Sequence, residues 1–330
     1  MCGLCTTRSH PRRLAEGRLL TLFVAVGALL LCSFASAARV RWHASFEEAL
    51  QAAERSGKPI LAFVYLSQTE VGEREALEPS KRMLRETLTD DAVVEATRAF
   101  EAVKLDLRDP ATEAARRQLK VSPVSNPLGL DEESNERVAA YPISLFLDPH
   151  GDELFRRHGY LPPLAYSMQL QRAANLFERI TAVTEEPNDP VARREVGRAY
   201  MEMDFARGDP FYEAAVRNLE AAIRMDPEND TGAKFDAEVD LAILRLPDDP
   251  QKALTTLTEL EARDRDGHRR LEIQYYMAVA HYVQGEAQEA VRLLERFETG
   301  DKDSEYYDSP WTPQALGLLK HIRGRLEGEE

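Results

Sequence analysis

The cysteines set the first limit on the chemistry open to this chain. All three of them, Cys2, Cys5 and Cys32, lie before residue 38, and residues 38–330 contain none. A thiolate is the reactive group in disulfide exchange, in cysteine catalysis and in cysteine-ligated zinc sites. The sequence from residue 38 onwards therefore predicts none of these three chemistries.

Other catalytic patterns are also missing from the sequence. No two histidines after residue 38 have the three- or four-residue spacing that places two metal ligands on one helix face. These histidines are His43, His150, His158, His268, His281 and His321. The chain has no Gly-x-Ser-x-Gly nucleophile motif, no Walker loop and no Gly-x-Gly-x-x-Gly fingerprint. We therefore predict no metal, no cofactor and no enzymatic activity.

The net charge of the chain indicates which classes of partner it can bind. The 330 residues contain 42 Lys plus Arg and 57 Asp plus Glu, which gives a formal net charge of -15 at pH 7. Proteins that bind nucleic acids need a clustered basic face. This composition therefore argues against a nucleic-acid partner.

Residues 1–37 have the pattern of an export signal. Four arginines precede an uncharged apolar run from Leu19 to Phe34, and Ala35-Ser36-Ala37 follows with the small residues of a cleavage site. We expect cleavage after Ala37 and a periplasmic or secreted protein. The alternative is that the segment stays uncleaved as a membrane anchor, although its apolar run is shorter than the roughly 20 residues of a spanning helix. A membrane partner is expected only in that case.

Residues 38–183 alternate between helical and strand patterns. Helices are predicted from about Phe46 to Gly57, from Ser80 to Thr97, from Thr112 to Leu119 and from Leu164 to about Thr181. Strands are predicted over 60–66, 100–107, 143–147 and 153–159, with a Pro/Ser/Asn-rich loop from Ser122 to about Arg137. This alternation predicts an α/β domain with helices packed on a sheet.

An ordered set of segments runs through about residues 40–182. It consists of Trp42, SFEEAL…GKPILAFVY, SKRMLRETLTDDAVV, AVKLDL and YPISLFLDPHGDELFRRHGY. Together they resemble the thioredoxin-like fold, in particular its exported branch with Cys-x-x-Cys-Lys before the second helix. The resemblance implies that Leu77 stands at the nucleophilic cysteine and Ser80 at the resolving one. Because Leu carries no nucleophile and a Ser without an adjacent base is inert, the chemistry of that family is lost.

Residues 184–190 form a polar, proline-containing stretch that we interpret as a linker. Beyond it, residues 191–330 show only helical periodicity and resemble tetratricopeptide (TPR) repeats. One unit is carried by Val196, Gly197, Tyr200, Ala215, Leu219, Ala222 and Pro227, with about six residues inserted near 208–211. Another is carried by Met277, Ala278, His281, Gly285, Ala290, Leu294 and Phe297, and a weaker middle unit by Ala253, Leu257 and Leu260. A last helix is expected over 313–326. The alternative is a helical bundle without repeats.

Two surfaces are candidate binding sites. In the thioredoxin-like family the bond equivalent to Tyr141-Pro142 is cis and exposes backbone to extended peptides, so we expect a cis bond here; the alternative is a trans proline at a strand start. In the repeats, Arg194, Arg198, Tyr275 and Tyr282 lie on the first helices of their units, which should line the concave face. Arg and Tyr are enriched among binding anchors. The alternative for Tyr282 is packing between units.

These patterns predict an exported, non-catalytic scaffold that binds a protein or peptide. The alternative is an enzyme: a thiol-disulfide or folding helper of the cell envelope acting through thiols of its partner, or a hydrolase whose site the sequence does not reveal. The missing Cys-x-x-Cys distinguishes the scaffold from a redox enzyme, since exchange requires a thiolate.

Overall fold

The computed structural model describes residues 39–67, 74–121, 141–203, 210–299 and 301–328. The predicted export signal with Ala37, the predicted loop over 122–137 and most of the insertion near 208–211 lie outside these ranges. The strands are β1 (Trp42–His43), β2 (Ile60–Tyr65), β3 (Glu101–Asp106), β4 (Ile143–Leu147) and β5 (Glu153–His158). The helices around them are α1 (Phe46–Ser56), α2 (Arg74–Arg82), α3 (Asp91–Ala96), α4 (Glu113–Gln118) and α5 (Pro163–Glu185).

The five strands form one mixed sheet in the order β1-β3-β2-β4-β5. The strands β1, β3 and β2 are parallel, β4 is antiparallel to β2, and β5 is antiparallel to β4. Successive residues of β2 are buried on opposite faces: Ile60 packs in a cluster with residues of α1 and α4, and Leu61 in a cluster with residues of α3 and α5. Burial on both faces explains why the sequence of β2 is an uninterrupted apolar run.

Helix α1 begins and ends at the residues that the sequence predicts. The hydroxyl of Ser45 accepts a hydrogen bond from the backbone N–H of Glu48 at 3.1 Å. At the other end Gly57 has φ 71°, the left-handed conformation that glycine adopts without strain. Both ends of this helix are therefore determined locally.

The single helix predicted over 80–97 is not continuous. Helix α2 ends at Arg82, a π-helical turn covers Met83–Thr87, and α3 begins at Asp91. The reason is Asp90, whose carboxylate accepts hydrogen bonds from the backbone N–H groups of Ala92 and Val93 and so caps a new helix. The helical pattern continues through this stretch, but the capping contact ends one helix and begins another.

Four residues separate α5 from the helix-rich region. Its helices are α6 (Pro190–Met201), α7 (Pro210–Met225), α8 (Ala233–Arg245), α9 (Pro250–Arg263), α10 (Arg270–Val283), α11 (Ala287–Leu294) and α12 (Thr312–Glu327). Of the predicted linker over 184–190, residues 186–189 connect two helices, since Thr184 lies in α5 and Pro190 begins α6. None of the helices in the described ranges is both long and apolar enough to cross a membrane.

The α/β region and the first helices beyond it share one hydrophobic core. Ala199 of α6 and Met203 belong to the same buried cluster as Phe146 of β4. The ring of Phe155 in β5 also contacts that of Phe211 in α7, with centroids 5.4 Å apart. The connection at 186–189 therefore joins two packed regions and is not a free tether.

Candidate functional site

The two positions that the resemblance assigns to redox cysteines are both structural. Leu77 is buried in the cluster that also contains Leu66 and Tyr141. Ser80 is fully buried, and its hydroxyl accepts a hydrogen bond from the backbone N–H of Leu66 at 3.3 Å. Leu77 contributes an apolar side chain to the core, and Ser80 holds the end of β2 against α2. Neither supplies the nucleophile of the family.

The Tyr141-Pro142 bond is cis, as predicted. Both residues are buried, and the carbonyl of Pro142 accepts a hydrogen bond from the backbone N–H of Gly159 at 2.7 Å. Burial raises the pKa of the Tyr141 hydroxyl, against the opposing effect of the positive charges of Arg116 and Arg156. The Tyr141 side chain is thus part of the sheet core.

Arg194 and Arg198 of α6 both bind the carboxylate of Asp240 in α8. The Nε of Arg194 lies 2.8 Å from Asp240 Oδ2, and the Nη1 of Arg198 lies 2.6 Å from Asp240 Oδ1. The Nη2 of Arg198 also reaches Glu272 of α10 at 3.0 Å. The two arginines predicted to contact a partner therefore already have carboxylate partners within the protein, and they tie α6 to α8 and α10.

Arg269, just before α10, completes this ion-pair network. Its guanidinium donates to Asp240 at 2.7 Å, to Asp236 at 3.1 Å and to Glu272 at 2.6 Å. The same oxygen of Asp236, Oδ1, also contacts the Nε2 of His268 at 2.9 Å. We use the term "ion-pair network" for Arg194, Arg198, Asp236, Asp240, Arg269 and Glu272.

The pKa directions in the network follow from competition between burial and pairing. Burial favours neutral Arg269 and Arg198, but the charges of Asp240 and Glu272 outweigh it, so both guanidinium pKa values lie above their usual range. Burial also favours the neutral form of Asp236 and so raises its pKa. The hydrogen bonds of the carboxylate and the neighbouring arginines lower the pKa by more than burial raises it, so the pKa lies below its usual value. Network members with shifted pKa values thus stay charged near neutral pH.

Tyr275 and Tyr282, the other predicted contacts, pack against the end of the helical region. The Tyr275 ring stacks on Trp311 at 5.5 Å. The hydroxyl of Tyr282 lies 3.1 Å from His321 Nε2 and accepts a hydrogen bond from Arg325 Nη1 at 3.0 Å. Both tyrosines are half-buried, and both contact the segment that forms α12 or leads into it. They hold this last helix in place.

A separate groove among the described residues is lined by the helices α7, α8 and α9. It has a volume of about 470 Å³, and its lining residues come from α7, α8, the loop after α8 and α9. We call it the α7/α9 groove. Its apolar lining comes from Tyr212, Ile223, Leu241, Ala242, Ala253 and Leu260, and its polar lining from Glu238, Arg245, Asp248, Asp249, Lys252, Thr256, Glu259 and Arg263.

The charged rim of the α7/α9 groove is largely organised by the protein itself. Arg245 Nη2 lies 3.0 Å from a carboxylate oxygen of Glu220 on α7. Arg263 Nη1 lies 2.8 Å from Glu238 Oε2, at an angle unsuited to a hydrogen bond, so this pair is coulombic and the buried oxygen has no hydrogen-bond partner. The groove therefore offers apolar side chains between charges of both signs.

Sequence reasoning missed this groove, although one signal was available. Leu241 precedes Ala253 by twelve residues, as Ala278 precedes Ala290. In α6 the corresponding residue is Gly197, where an added Cβ would lie only 2.6 Å from Leu219 Cγ. The middle helix pair thus has a large residue where its neighbours have small ones, and Leu241 lines the groove.

In the part of the chain that the structure describes, no group of three or more His, Cys, Asp or Glu side chains could hold a metal ion. Comparison with protein-family models gives no match to the chain, and comparison with curated proteins gives none either.

Proposed function

We propose that this protein is an exported, non-catalytic scaffold in which a thioredoxin-like domain and TPR-like helix pairs bind a protein or peptide partner. The observation that carries the proposal is the α7/α9 groove. It is preformed and open, and its apolar side chains between charged ones resemble the grooves in which peptide segments bind. Binding in this groove requires no catalytic residue.

The thioredoxin-like part of the proposal is supported by the sheet and by the proline. Three parallel strands are followed by two antiparallel ones, and the cis Tyr141-Pro142 bond comes directly before β4. The TPR-like part is supported by three successive helix pairs, α6/α7, α8/α9 and α10/α11, with α12 as a final helix. The close approach of α7 to Gly197 supports the small-residue positions of that repeat.

The binding face in this proposal differs from the one inferred from sequence. Arg194 and Arg198 are occupied by Asp240 and Glu272, so their loss would first disturb the contacts among α6, α8 and α10. Breaking a buried ion pair by removing one partner typically costs about 3–5 kcal/mol. Binding is therefore assigned to the α7/α9 groove, where a half-buried lining residue such as Thr256 can be altered with less effect on folding.

A matched pair of substitutions on α9 tests the groove. Thr256 lines it and is half-buried, whereas the adjacent Thr255 is exposed and points elsewhere. Thr256→Arg places a long charged side chain in the groove, and Thr255→Arg makes the same chemical change outside it. Partners captured by crosslinking in the native cell envelope would be quantified by mass spectrometry for the parent and both variants, after circular dichroism shows equal helicity.

The expected result is a protein partner that Thr256→Arg loses and Thr255→Arg retains. Equal capture by all three proteins would refute the groove as the binding surface. The rival enzymatic function predicts turnover instead. A form beginning at residue 38 should not reduce insulin disulfides above the buffer rate, because it has no cysteine. Reduction above that rate would overturn the non-catalytic scaffold.

A further inference from the structure

A second pocket lies at the edge of the sheet where β2 and β3 begin. Its volume is about 840 Å³. It is lined by Arg39, Arg41, Trp42, His43, Lys58, Val94, Thr97, Arg98, Phe100 and Glu101. Tyr141 and Pro142 lie beyond the other end of β2, because Val64 pairs with Ile143. This edge pocket is therefore separate from the region that the thioredoxin resemblance concerns and from the α7/α9 groove.

Internal hydrogen bonds hold the polar side of the edge pocket in place. Glu101 accepts a hydrogen bond from Ser56 Oγ at 2.9 Å and lies 2.7 Å from His43 Nε2. Lys58 Nζ donates to the carbonyl of Arg98 at 2.9 Å. One wall of the pocket is thus organised without a ligand, and its single carboxylate already has two partners.

Arg39 and Arg41 have no such partners. Both are exposed, and neither makes an ion pair or a side-chain hydrogen bond with any described residue. Arg98 is paired with Glu95 at 2.7 Å, but both side chains of that pair are largely in solvent, where such pairs contribute little. The pocket therefore has an excess of positive charge in a chain whose formal net charge is -15.

The lining of the edge pocket also includes apolar side chains. Val94 and Phe100 are buried beneath it, and the half-buried Trp42 contacts Phe63 of the core, with centroids 6.4 Å apart. Lys104 lies over the Trp42 ring at 5.6 Å. A ligand that fills this pocket meets both cationic and apolar side chains.

From this arrangement we infer that the edge pocket binds an amphiphilic anion, with its phosphate or carboxylate head on Arg39 and Arg41 and its apolar part against Trp42, Val94 and Phe100. The guanidinium fork matches both kinds of head, since each offers two oxygens to parallel N–H donors. Either a phospholipid head group or a free carboxylic acid with a hydrocarbon chain has this chemistry.

Titration calorimetry on the full chain tests the inference with three probes: dihexanoylphosphatidylglycerol, octanoate and inorganic phosphate. The test variant is Arg39→Gln/Arg41→Gln. Its matched control is Arg224→Gln/Arg265→Gln, which removes the same charge at two exposed arginines outside the pocket. All four substituted side chains are exposed, so melting temperatures should stay equal.

We expect at least one amphiphile to bind the parent and the control equally, and to bind the test variant at least about tenfold more weakly, because charge-assisted hydrogen bonds are lost. Tighter binding of dihexanoylphosphatidylglycerol indicates a lipid source, and tighter binding of octanoate a free acid. The inference is overturned if neither amphiphile binds, if the test variant binds as well as the parent, or if inorganic phosphate binds as tightly as the amphiphiles.

Discussion

Replacing Asp240 with Asn removes one negative charge from the centre of the ion-pair network. The carboxylate is fully buried and contacts three guanidiniums, those of Arg194 at 2.8 Å, Arg198 at 2.6 Å and Arg269 at 2.7 Å. The amide of Asn has one acceptor oxygen, and its NH₂ group would face an arginine N–H donor. All three guanidiniums thus lose the negative charge of Asp240, and at least one loses a hydrogen bond, although Arg198 and Arg269 still contact Glu272 and Arg194 still contacts Glu195.

The loss of stability expected for Asp240→Asn depends on how deeply the three ion pairs are buried. The three arginine side chains are 15%, 29% and 8% exposed, so solvent screens these pairs only in part. Removing one partner of a buried pair costs about 3–5 kcal/mol. In a chain of this size that free energy lowers the melting temperature by roughly 10 °C.

The control is Glu220→Gln, which removes the partner of Arg245 in a pair whose side chains are both 43% exposed. Exposed pairs contribute less than about 1 kcal/mol, so the control should melt close to the parent. Thermal unfolding followed by circular dichroism at 222 nm compares the three proteins. If Asp240→Asn lowers the melting temperature no more than Glu220→Gln, the network does not stabilise the packing of α6, α8 and α10.

Three further predictions concern packing, pH and domain connection. Gly197→Ala should destabilise by about 1–3 kcal/mol in urea unfolding, because its Cβ would lie 2.6 Å from Leu219, whereas Gly317→Ala, with open space around it, should be neutral or stabilising. The pKa of Asp236 is lowered in the folded state, so its contribution to stability is present above about pH 4 and is lost as the pH falls further; Asp236→Asn should show a weaker acid dependence in unfolding titrations. A protease site introduced at 186–189 should yield fragments that co-elute in gel filtration, because the shared core joins them; fragments that separate would contradict that packing.

Much of the fold is predictable from local sequence. The apolar runs over 60–66 and 143–147 each match a strand within one residue, and α1 begins at Phe46 and is capped by Gly57, as predicted. These features depend on side-chain periodicity and on contacts within a few residues of each other. The break between α2 and α3 was not predicted, because the same periodicity continues through Asp90 and only its capping contacts interrupt the helix.

For the candidate sites too, some features were predictable from the sequence and others were not. By its composition alone, the sequence determined that residues 38–330 carry no thiol, and its helical spacing correctly indicated a succession of helices after residue 190. Only the tertiary structure decided that Arg194 binds Asp240, a residue 46 positions away, and that the open groove lies between α7 and α9. A spacing pattern shows which residues share one helix face. Whether that face meets a partner or another helix of the same chain depends on how distant segments pack, and helical periodicity carries no information about that.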